Sequence, residues 1–375
     1  MSTESFFREL LARADITLNG NKPWDLKVRN DHALARVLRE GSVGFGEAFM
    51  EGWFDCERID ELAHRAYQAR LFEQVEVRQA LIETLKVRLN PFGSRGRSHE
   101  VGEFHYDTGN DLFELMLDPN MQYSCGYWKR ATTLEQAQRD KLELICRKLD
   151  LRPGQRLLDI GCGWTGLARY AARNFGVHVV GITVSKEQAE YGRERNNGLP
   201  IEIRIVDYRE LNEQFDRIVS VGMFEHVGRR YYADYFAAAA RCLKPDGLFV
   251  LHTVGYQKEE AINPWYDKYI MPGVEFPTVA NVANAAGDEL AFENLHVWDG
   301  SHYDRTLMAW WDRFHASWDR LKGKRYDERF YRMWQLYLQG CAGGFRADRM
   351  RVWQFVFSKD RTPGGYAYGH HYPID

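Results

Sequence analysis

The pattern of apolar and polar positions changes near residue 104. Before about residue 85, apolar side chains recur every three to four positions, as at Leu34, Val37 and Leu38, which predicts short helices. Beyond residue 104, helical patterns alternate with short runs rich in Val and Ile that end at turn residues. These runs are RLLDIG, VHVVGITV, IEIRIVD, FDRIVSVGM and GLFVLHTV. The alternation predicts an α/β fold with a doubly wound parallel sheet.

The same pattern predicts the domain organisation. A smaller helical N-terminal domain is expected over residues 1–90, followed by a linker rich in Gly, Ser and Pro over 91–103. A larger α/β domain then fills residues 104–375. Three prolines, Pro264, Pro272 and Pro277, interrupt its alternation, which predicts an inserted cap at about 257–305.

Composition narrows the functional classes. A formal net charge of -3 argues against nucleic acid as the main partner, because phosphate binding needs a surplus of Lys and Arg. The six cysteines are widely spaced and form no C-x-x-C pair, so neither a zinc site nor a disulfide scaffold is predicted. Neither a signal peptide nor a run of about 18 apolar residues is evident, which favours a cytoplasmic protein. The 52 aromatic residues fill either a core or a large apolar cavity that tolerates cations.

Two stretches are locally basic despite the negative net charge. Between residues 84 and 99 there are four basic residues and no acid, so this stretch is either a solvated linker or a strip that faces anionic lipid headgroups. The basic residues of the two stretches are Lys86, Arg88, Arg95 and Arg97, and Arg320, Lys322, Lys324, Arg325, Arg329 and Arg332.

A glycine motif carries the strongest local signal. A buried strand ends at Asp159 and is followed by Gly161 and Gly163 before a predicted helix, an arrangement that lets a nucleotide-like ligand approach the backbone. A dinucleotide site would need a carboxylate after the second strand, but that strand ends at Thr183 with Gln188 beyond it. The motif instead resembles the S-adenosylmethionine site of class I methyltransferases. In the alternative interpretation, Asp159 only caps the turn.

Further sequence blocks make the resemblance more specific. Together with the glycine motif they resemble the bacterial cyclopropane-fatty-acyl-phospholipid synthases and the related mycolic acid cyclopropane synthases. One departure is Thr165, where this family usually has glycine. The blocks are His105–Asp107, Leu117–Pro119, Tyr123–Trp128, Ser220–Gly228, Leu251–Thr253, Lys268–Gly273 and His302–Leu307.

The resemblance implies a Rossmann-like class I S-adenosylmethionine-dependent methyltransferase domain with a lipid-facing insertion. It also implies methylene transfer from S-adenosylmethionine to the cis double bond of unsaturated phospholipid acyl chains, with bound bicarbonate as general base and no metal. The implied cofactor contacts are Tyr123, Ser124, Asp159, Gly161, Gly163, Thr183, Gln188, Asp207 and Tyr208. The implied bicarbonate ligands are Cys125 through its backbone, Glu225, His252, Val254 and Tyr303. Cys341 matches a cysteine described as catalytic in the family, although the chemistry needs no covalent enzyme intermediate.

Structural interpretations of these residues stay open at this stage. Glu225 could cap a helix, His252 could be a hydrogen-bonded core histidine, and Tyr303 could be a core ring. The family likeness further implies a homodimer at the inner membrane surface. Two rival functions remain: a lipid methyltransferase with a methyl-branched product, and a non-catalytic lipid-binding protein that senses S-adenosylmethionine.

Overall fold

The computed structural model describes residues 2–71, 109–287, 289–323, 325–360 and 366. Its helices are α1 (Thr3–Ala12), α2 (Ala33–Met50), α3 (Ile59–Gln68), α4 (Asn110–Met116), α5 (Leu134–Lys148), α6 (Gly166–Phe175), α7 (Lys186–Arg195), α8 (Tyr232–Cys242), α9 (Pro264–Tyr269), α10 (Val279–Ala286), α11 (Gly300–Ala316), α12 (Trp318–Leu321) and α13 (Glu328–Arg346). Its strands are β1 (Lys27–Val28), β2 (Phe54–Asp55), β3 (Arg156–Ile160), β4 (His178–Thr183), β5 (Ile201–Ile205), β6 (Phe215–Val221), β7 (Leu243–Tyr256), β8 (Ala291–Trp298) and β9 (Met350–Ser358).

A seven-stranded sheet with the order β5-β4-β3-β6-β7-β9-β8 forms the centre of the α/β part. The five predicted strands, β3 to β7, are confirmed and pair in parallel. The predicted doubly wound sheet is confirmed as a mostly parallel one, to which β9 adds antiparallel pairs with both β7 and β8. Strand β8 lies inside the stretch predicted as a cap. The fold is therefore the Rossmann-like α/β fold with an added antiparallel pair of strands.

The central strands are buried on both faces, which explains their unbroken apolar sequence. Leu157 and Leu158 are adjacent on β3 and both fully buried, yet they belong to different core clusters. Successive side chains of a strand point to opposite faces, so Leu157 packs with α5 and α6 residues and Leu158 with α8 residues. Helices therefore cover both sides of β3 and fix where it ends.

The chain forms two compact units. One contains residues 1–112, 261–272 and 307–349, and the other contains 113–260, 273–306 and 350–375. The first unit thus joins the N-terminal helices to two segments from later in the chain. The predicted linker at 91–103 lies outside the described residues, and the predicted domain boundaries stay a prediction.

Close helix packing holds the first unit together. A Cβ atom at Gly343 of α13 would lie 2.2 Å from the carbonyl oxygen of Asp60 on α3, so only glycine allows this approach. The Asp60 carboxylate is fully buried and bonds Arg58 at 2.7 Å and Arg346 at 2.8 Å. Among the described helices, none is long and apolar enough to cross a lipid bilayer.

Candidate active site

The glycine motif forms the turn between β3 and α6. Gly161 and Gly163 have φ angles of +83° and +50°, in the left-handed region that favours glycine. A Cβ atom at Gly161 would lie 2.7 Å from the side chain of Met223. At Gly163, by contrast, a Cβ atom would meet no described atom within 4 Å. Gly161 is thus required by packing, whereas Gly163 borders open space from which a ligand can reach the backbone.

Asp159, just before this turn, has an incomplete hydrogen-bond environment. Its side chain is 2% exposed, and within the described residues its Oδ2 atom has no hydrogen-bond partner. Burial raises the pKa of the carboxyl group to about 7. A buried carboxylate oxygen without a donor is costly, so this atom suits a ligand that brings a donor. S-adenosylmethionine, with its ammonium group and ribose hydroxyls, fits this environment.

Thr165 adopts a left-handed backbone with φ +63° at the N-cap of α6, a conformation that favours glycine. Its hydroxyl compensates through two contacts, since it accepts from Arg169 Nη1 at 2.8 Å and donates to Asn196 Oδ1 at 3.1 Å. A Cβ atom at Gly192 would come within 2.5 Å of the threonine methyl group. The threonine is therefore held by a buried polar network that a glycine would lack.

We expect Thr165→Ala to destabilise the protein more than Thr165→Gly. Alanine keeps the left-handed backbone cost of about 1 kcal/mol and removes the hydroxyl that satisfies Arg169 and Asn196. Glycine removes the hydroxyl but relieves the backbone. Chemical denaturation should rank the free energies of unfolding as wild type, then T165G, then T165A. Equal stability of all three proteins would contradict this account.

The other predicted cofactor residues lie at the ends of neighbouring strands. Asp159 lies near the end of β3, Thr183 is the last residue of β4 and Asp207 follows β5, and the carboxyl ends of these parallel strands share one edge of the sheet. Thr183 Oγ1 lies 3.3 Å from Gln188 Oε1. The Asp207 carboxylate instead bonds Arg209 at 2.7 Å and caps the short helix that begins at Tyr208. A cofactor that contacts Asp207 would therefore share this carboxylate with Arg209.

The loop with Tyr123 and Ser124 is anchored by α5. Lys141 is fully buried and its Nζ donates to Ser124 Oγ at 2.7 Å. Burial lowers the pKa of this ammonium group to about 7. The ring of Tyr123 packs edge-on against Phe113 at 5.1 Å, and Phe113 in turn lies 4.8 Å from Trp164 of the glycine turn. The loop is thereby connected to the cofactor turn.

Glu225 is attached to β7 rather than to its own short helix. Strand β6 ends at Val221, opposite His252, so β7 loses its parallel partner beyond that point. The amide of Val254 then donates to Glu225 Oε1 at 2.7 Å. Within the described residues Glu225 Oε2 is buried without a hydrogen-bond partner, and burial raises the pKa of the carboxyl group to about 7. Glu225 therefore bonds the amide of a strand residue, which differs from the helix-capping interpretation.

His252 lies on β7, two residues before Val254, and is buried, with only 2% of its surface exposed. Its Nδ1 atom lies 3.1 Å from Gln354 Nε2 on β9, and its ring meets Trp298 edge-on at 5.1 Å. Burial and the nearby cations Lys141 and Lys148 hold the pKa of the imidazole well below its usual value. His252 is therefore a neutral histidine.

Hydrogen bonds join the loop that carries Cys125 to the start of α11, the helix that carries Tyr303. Gly126 N donates to Thr306 Oγ1 at 3.0 Å, and Trp128 N lies 2.8 Å from His302 Nδ1, both in the first turns of α11 that carry Tyr303. A Cβ atom at Gly222, three residues before Glu225, would lie 3.9 Å from Ser124 Cβ. The structure thus brings the Cys125 loop near the Glu225 turn. Burial raises the pKa of the Cys125 thiol, which leaves the backbone as its useful ligand.

Cys341 lies in the other compact unit, on α13. Burial raises the pKa of its thiol to about 12, so the thiol stays protonated and is a poor nucleophile. A covalent catalytic role for Cys341 has no support in its surroundings.

Sequence reasoning missed Gln354, Lys141 and Lys148. Gln354 lies on the unpredicted strand β9, and the two lysines lie on α5 at positions where a lysine is normally solvated. Only their full burial marks them. Within the described residues there is no cluster of His, Cys, Asp and Glu that could hold a metal ion.

The stability of the ligand-free protein should report the pKa of Glu225. Since the pKa rises from 4.5 to about 7 on folding, the native state keeps a proton that the unfolded state has released between these pH values. Stability therefore falls across this window, by about 3 kcal/mol for this group, and levels off above it. The E225Q variant lacks this component. Denaturation from pH 4.5 to 8 should show the stability difference between variant and wild type growing by that amount, and parallel curves would contradict the assignment.

Comparisons with known proteins agree with this architecture. The family description "Mycolic acid cyclopropane synthetase" matches residues 94–355. The chain is 50% identical over 355 residues to the cyclopropane-fatty-acyl-phospholipid synthase of Escherichia coli K12, covering 94% of this chain and 92% of that protein. It is 31% identical over 368 residues to the tuberculostearic acid methyltransferase UfaA1 of Mycobacterium tuberculosis, with 89% and 83% covered. The solved mycolic acid cyclopropane synthase CmaA1, complexed with SAH and CTAB, is 33% identical with a TM-score of 0.63, covering 68% of this chain and 96% of that one.

Together, the fold, the glycine turn and these similarities define the protein as a class I S-adenosylmethionine-dependent methyltransferase. Strand β3 leads through Asp159 into the glycine turn at the carboxyl edge of the sheet, where open α/β sheets bind their ligands. More particularly, the chain belongs to the mycolic acid cyclopropane synthetase family.

Proposed function

We propose that this enzyme transfers a methylene group from S-adenosylmethionine to the cis double bond of unsaturated phospholipid acyl chains. The observation that carries the proposal is the 50% identity along 94% of the chain to the cyclopropane-fatty-acyl-phospholipid synthase of Escherichia coli. The aligned region covers nearly the whole chain and therefore includes both compact units. It therefore supports the same substrate class as well as the same fold.

The sheet edge supplies what binding of S-adenosylmethionine requires. That molecule supplies an electrophilic methyl group on a sulfonium. Asp159 offers its buried oxygen to a donor, and Gly163 leaves room for close approach to the backbone. An isolated double bond is a weak nucleophile, so the protein contributes chiefly by holding the two reactants in near-attack geometry.

Aromatic side chains next to the Cys125 loop suit an electron-poor reaction centre. The ring of Tyr127 lies 4.8 Å from that of Trp298 and stacks on His302 at 5.0 Å. Trp128 is buried and donates from Nε1 to Thr306 Oγ1 at 2.8 Å. The face of Trp128 already holds the Arg305 guanidinium at 4.4 Å, so these rings contribute chiefly by excluding the water that would quench a carbocation.

Bicarbonate fits the groups around Glu225. When bound, it would supply the base that removes a proton from the transferred methyl carbon. Glu225 Oε2 can accept from a hydroxyl group, while the His252 ring and the Tyr303 hydroxyl can donate to an oxyanion. Because Oε1 is already bonded to the amide of Val254, the carboxylate is held in a fixed orientation. The peptide of Cys125 and the carbonyl group of Val254, whose N–H is taken by Glu225, complete the proposed ligand set.

Transfer of label tests the proposal. Enzyme incubated with methyl-labelled S-adenosylmethionine and vesicles of unsaturated phospholipid should place label in the extracted lipid, and vesicles of saturated phospholipid serve as the control. Label in neither lipid under conditions of proven cofactor binding would overturn the proposal and favour a protein that only senses S-adenosylmethionine.

A methyl-branched product is the second candidate, favoured by the 31% identity to a tuberculostearic acid methyltransferase. Both reactions begin with the same transfer of a methyl group to the double bond. They differ in how the resulting carbocation is resolved: loss of a proton from the new methyl carbon with ring closure gives the cyclopropane, whereas loss of a proton without ring closure gives a methyl-branched or methylene-bearing alkene. The nature of the product, rather than the transfer of label, therefore separates the two candidates.

We further propose that the enzyme works as a homodimer bound to the surface of the inner membrane. Arg320, Lys322 and Arg329 are exposed in the first unit and suit anionic headgroups. Arg332 has a structural role instead, since its guanidinium bonds the carbonyl oxygen of Phe49 at 2.6 Å. The predicted basic strip near Arg95 lies outside the described residues.

Neutralising exposed charges should weaken membrane binding. We expect the double variant R320Q/K322Q to bind anionic vesicles less tightly at low salt, by about 1 kcal/mol per charge, and to depend less on salt. The variant R95Q/R97Q tests the basic strip in the same way. Vesicle co-sedimentation measures both, with D319N as a matched control for the first pair. Unchanged binding of both double variants would contradict the proposed surface.

A further inference from the structure

A chain of three buried polar side chains approaches His252 from behind. Lys148 Nζ on α5 donates to Gln354 Oε1 on β9 at 2.8 Å, and Gln354 Nε2 lies 3.1 Å from His252 Nδ1 on β7. All three side chains are at most 2% exposed. The chain crosses three elements of the second unit, so its members are held by the core rather than by flexible loops.

The chemistry of these groups determines the direction of each hydrogen bond. A lysine ammonium group can only donate, so the oxygen of the Gln354 amide must face Lys148. The NH2 group of the same amide then faces His252 and donates to Nδ1. A neutral imidazole has one donor and one acceptor nitrogen, so Nδ1 as acceptor leaves the proton on Nε2.

The alternative protonation states of His252 are disfavoured by the same surroundings. A proton on Nδ1 would oppose the NH2 group of Gln354, leaving two donors face to face. An imidazolium would carry that same proton and would add a positive charge in a buried site near Lys141 and Lys148. Trp298, packed edge-on against the ring, restricts its rotation.

We infer that Gln354, held by Lys148, is a positioning residue that fixes His252 as the Nε2–H tautomer and so presents a donor to the ligand bound at Glu225. The ligand part of this inference rests on the proposed function. With Glu225 Oε2 as an acceptor and His252 Nε2–H as a donor, the pair is complementary to a small oxyanion that carries one hydroxyl group. Bicarbonate has this arrangement, whereas carbonate has no hydroxyl to give Glu225.

Gln354→Glu tests the inference because it keeps the size of the side chain and reverses one hydrogen bond. A carboxylate can accept from Lys148 with one oxygen and must accept from His252 with the other, which demands a proton on Nδ1. Gln354→Met removes both hydrogen bonds. Gln339, equally buried at 1% exposure in the other unit and bonded to the amide of Ile59 at 2.9 Å, provides the control variant Q339M.

The decisive readout is the ring nitrogen spectrum of ligand-free protein labelled with ¹⁵N-histidine, in which the His252 signals are assigned by their loss in H252Q. We expect wild type and Q339M to show the Nε2–H tautomer and Q354E to show a proton on Nδ1. A wild-type His252 that is Nδ1–H or doubly protonated overturns the inference, even if no variant folds. Retention of the Nε2–H tautomer in folded Q354E overturns it as well.

Activity provides the second readout. Loss of one fixed donor to an anion lowers turnover by about 100-fold or more, so Q354E should lose this much while its affinity for S-adenosylmethionine stays as in the wild type. Full turnover in Q354E with the switched tautomer would overturn the positioning role. Bicarbonate titration separates the two claims: if it leaves the wild-type Nε2–H signals and the turnover unchanged, the proposed base fails while the tautomer assignment stands.

Discussion

Glu225→Gln is expected to reduce turnover by at least about 100-fold while the affinity for S-adenosylmethionine stays within experimental error of the wild type. Glutamine keeps an oxygen for the amide of Val254, so the turn that carries the side chain can retain its shape. What it loses is the second carboxylate oxygen, which can accept a proton from the base of the reaction. Label transfer to lipid measures turnover, and calorimetric titration measures cofactor affinity.

Two further measurements distinguish a catalytic role of Glu225 from a structural one. H226Q changes the neighbour of Glu225 in the same turn and should keep nearly full turnover, because Glu225 and not His226 bonds the Val254 amide. The stability of E225Q relative to wild type should improve as the pH rises from 4.5 to 7, since the variant has no buried carboxylate to ionise. Equal loss of turnover and of cofactor affinity in E225Q would show that Glu225 is structural.

Gly163→Ala is expected to abolish measurable binding of S-adenosylmethionine while the protein stays folded. Its φ of +50° is accessible to alanine at a cost of about 1 kcal/mol, and no described atom lies within 4 Å of the added methyl group. The methyl group instead projects into the space beside the backbone that a cofactor would approach. Calorimetric titration with S-adenosylmethionine and chemical denaturation separate the two effects.

Gly154 offers the matched control for this variant. It has a φ of +83° in the turn before β3, at the opposite end of that strand, and there too no described atom lies within 4 Å of an added methyl group. G154A should therefore lose stability without losing cofactor affinity. Wild-type affinity in G163A, or equal loss of affinity in both variants, would contradict the placement of the cofactor at the Gly163 turn.

The parallel half of the sheet could be predicted from the sequence because of its simple periodicity. Strands buried on both faces appear as short apolar runs, as β3, β4, β6 and β7 do, and the edge strand β5 shows a regular alternation of Ile with charged residues. Strand β8 could not be found in this way, because it is the sheet edge and alternates exposed Phe292 and Val297 with buried residues inside a proline-containing segment. Strand β9 pairs antiparallel with β7 across a separation of about a hundred residues, a relation that no local pattern contains.

The residues of the candidate site also differ in whether the sequence alone could predict them. Asp159 and the two glycines could be predicted because a strand, a turn and a helix follow one another directly in the sequence. Asp207 could not be judged in advance, because its pairing with Arg209 depends on how the short helix is capped. Gln354 and Lys148 gain their importance only through contacts with His252 that join residues 148, 252 and 354. Their sequence surroundings hold no motif that would mark them.

The central claim, that a methylene group is added across an acyl double bond, is tested most directly by the product itself. The enzyme would be incubated with S-adenosylmethionine carrying a ¹³C-labelled methyl group and with vesicles of a phospholipid that has one cis double bond. Proton and carbon NMR of the extracted lipid then identify the labelled carbon. The account predicts a ring CH2 whose protons resonate upfield of ordinary acyl methylenes. A labelled CH3 or an exocyclic =CH2 group, with no ring signal, would contradict it.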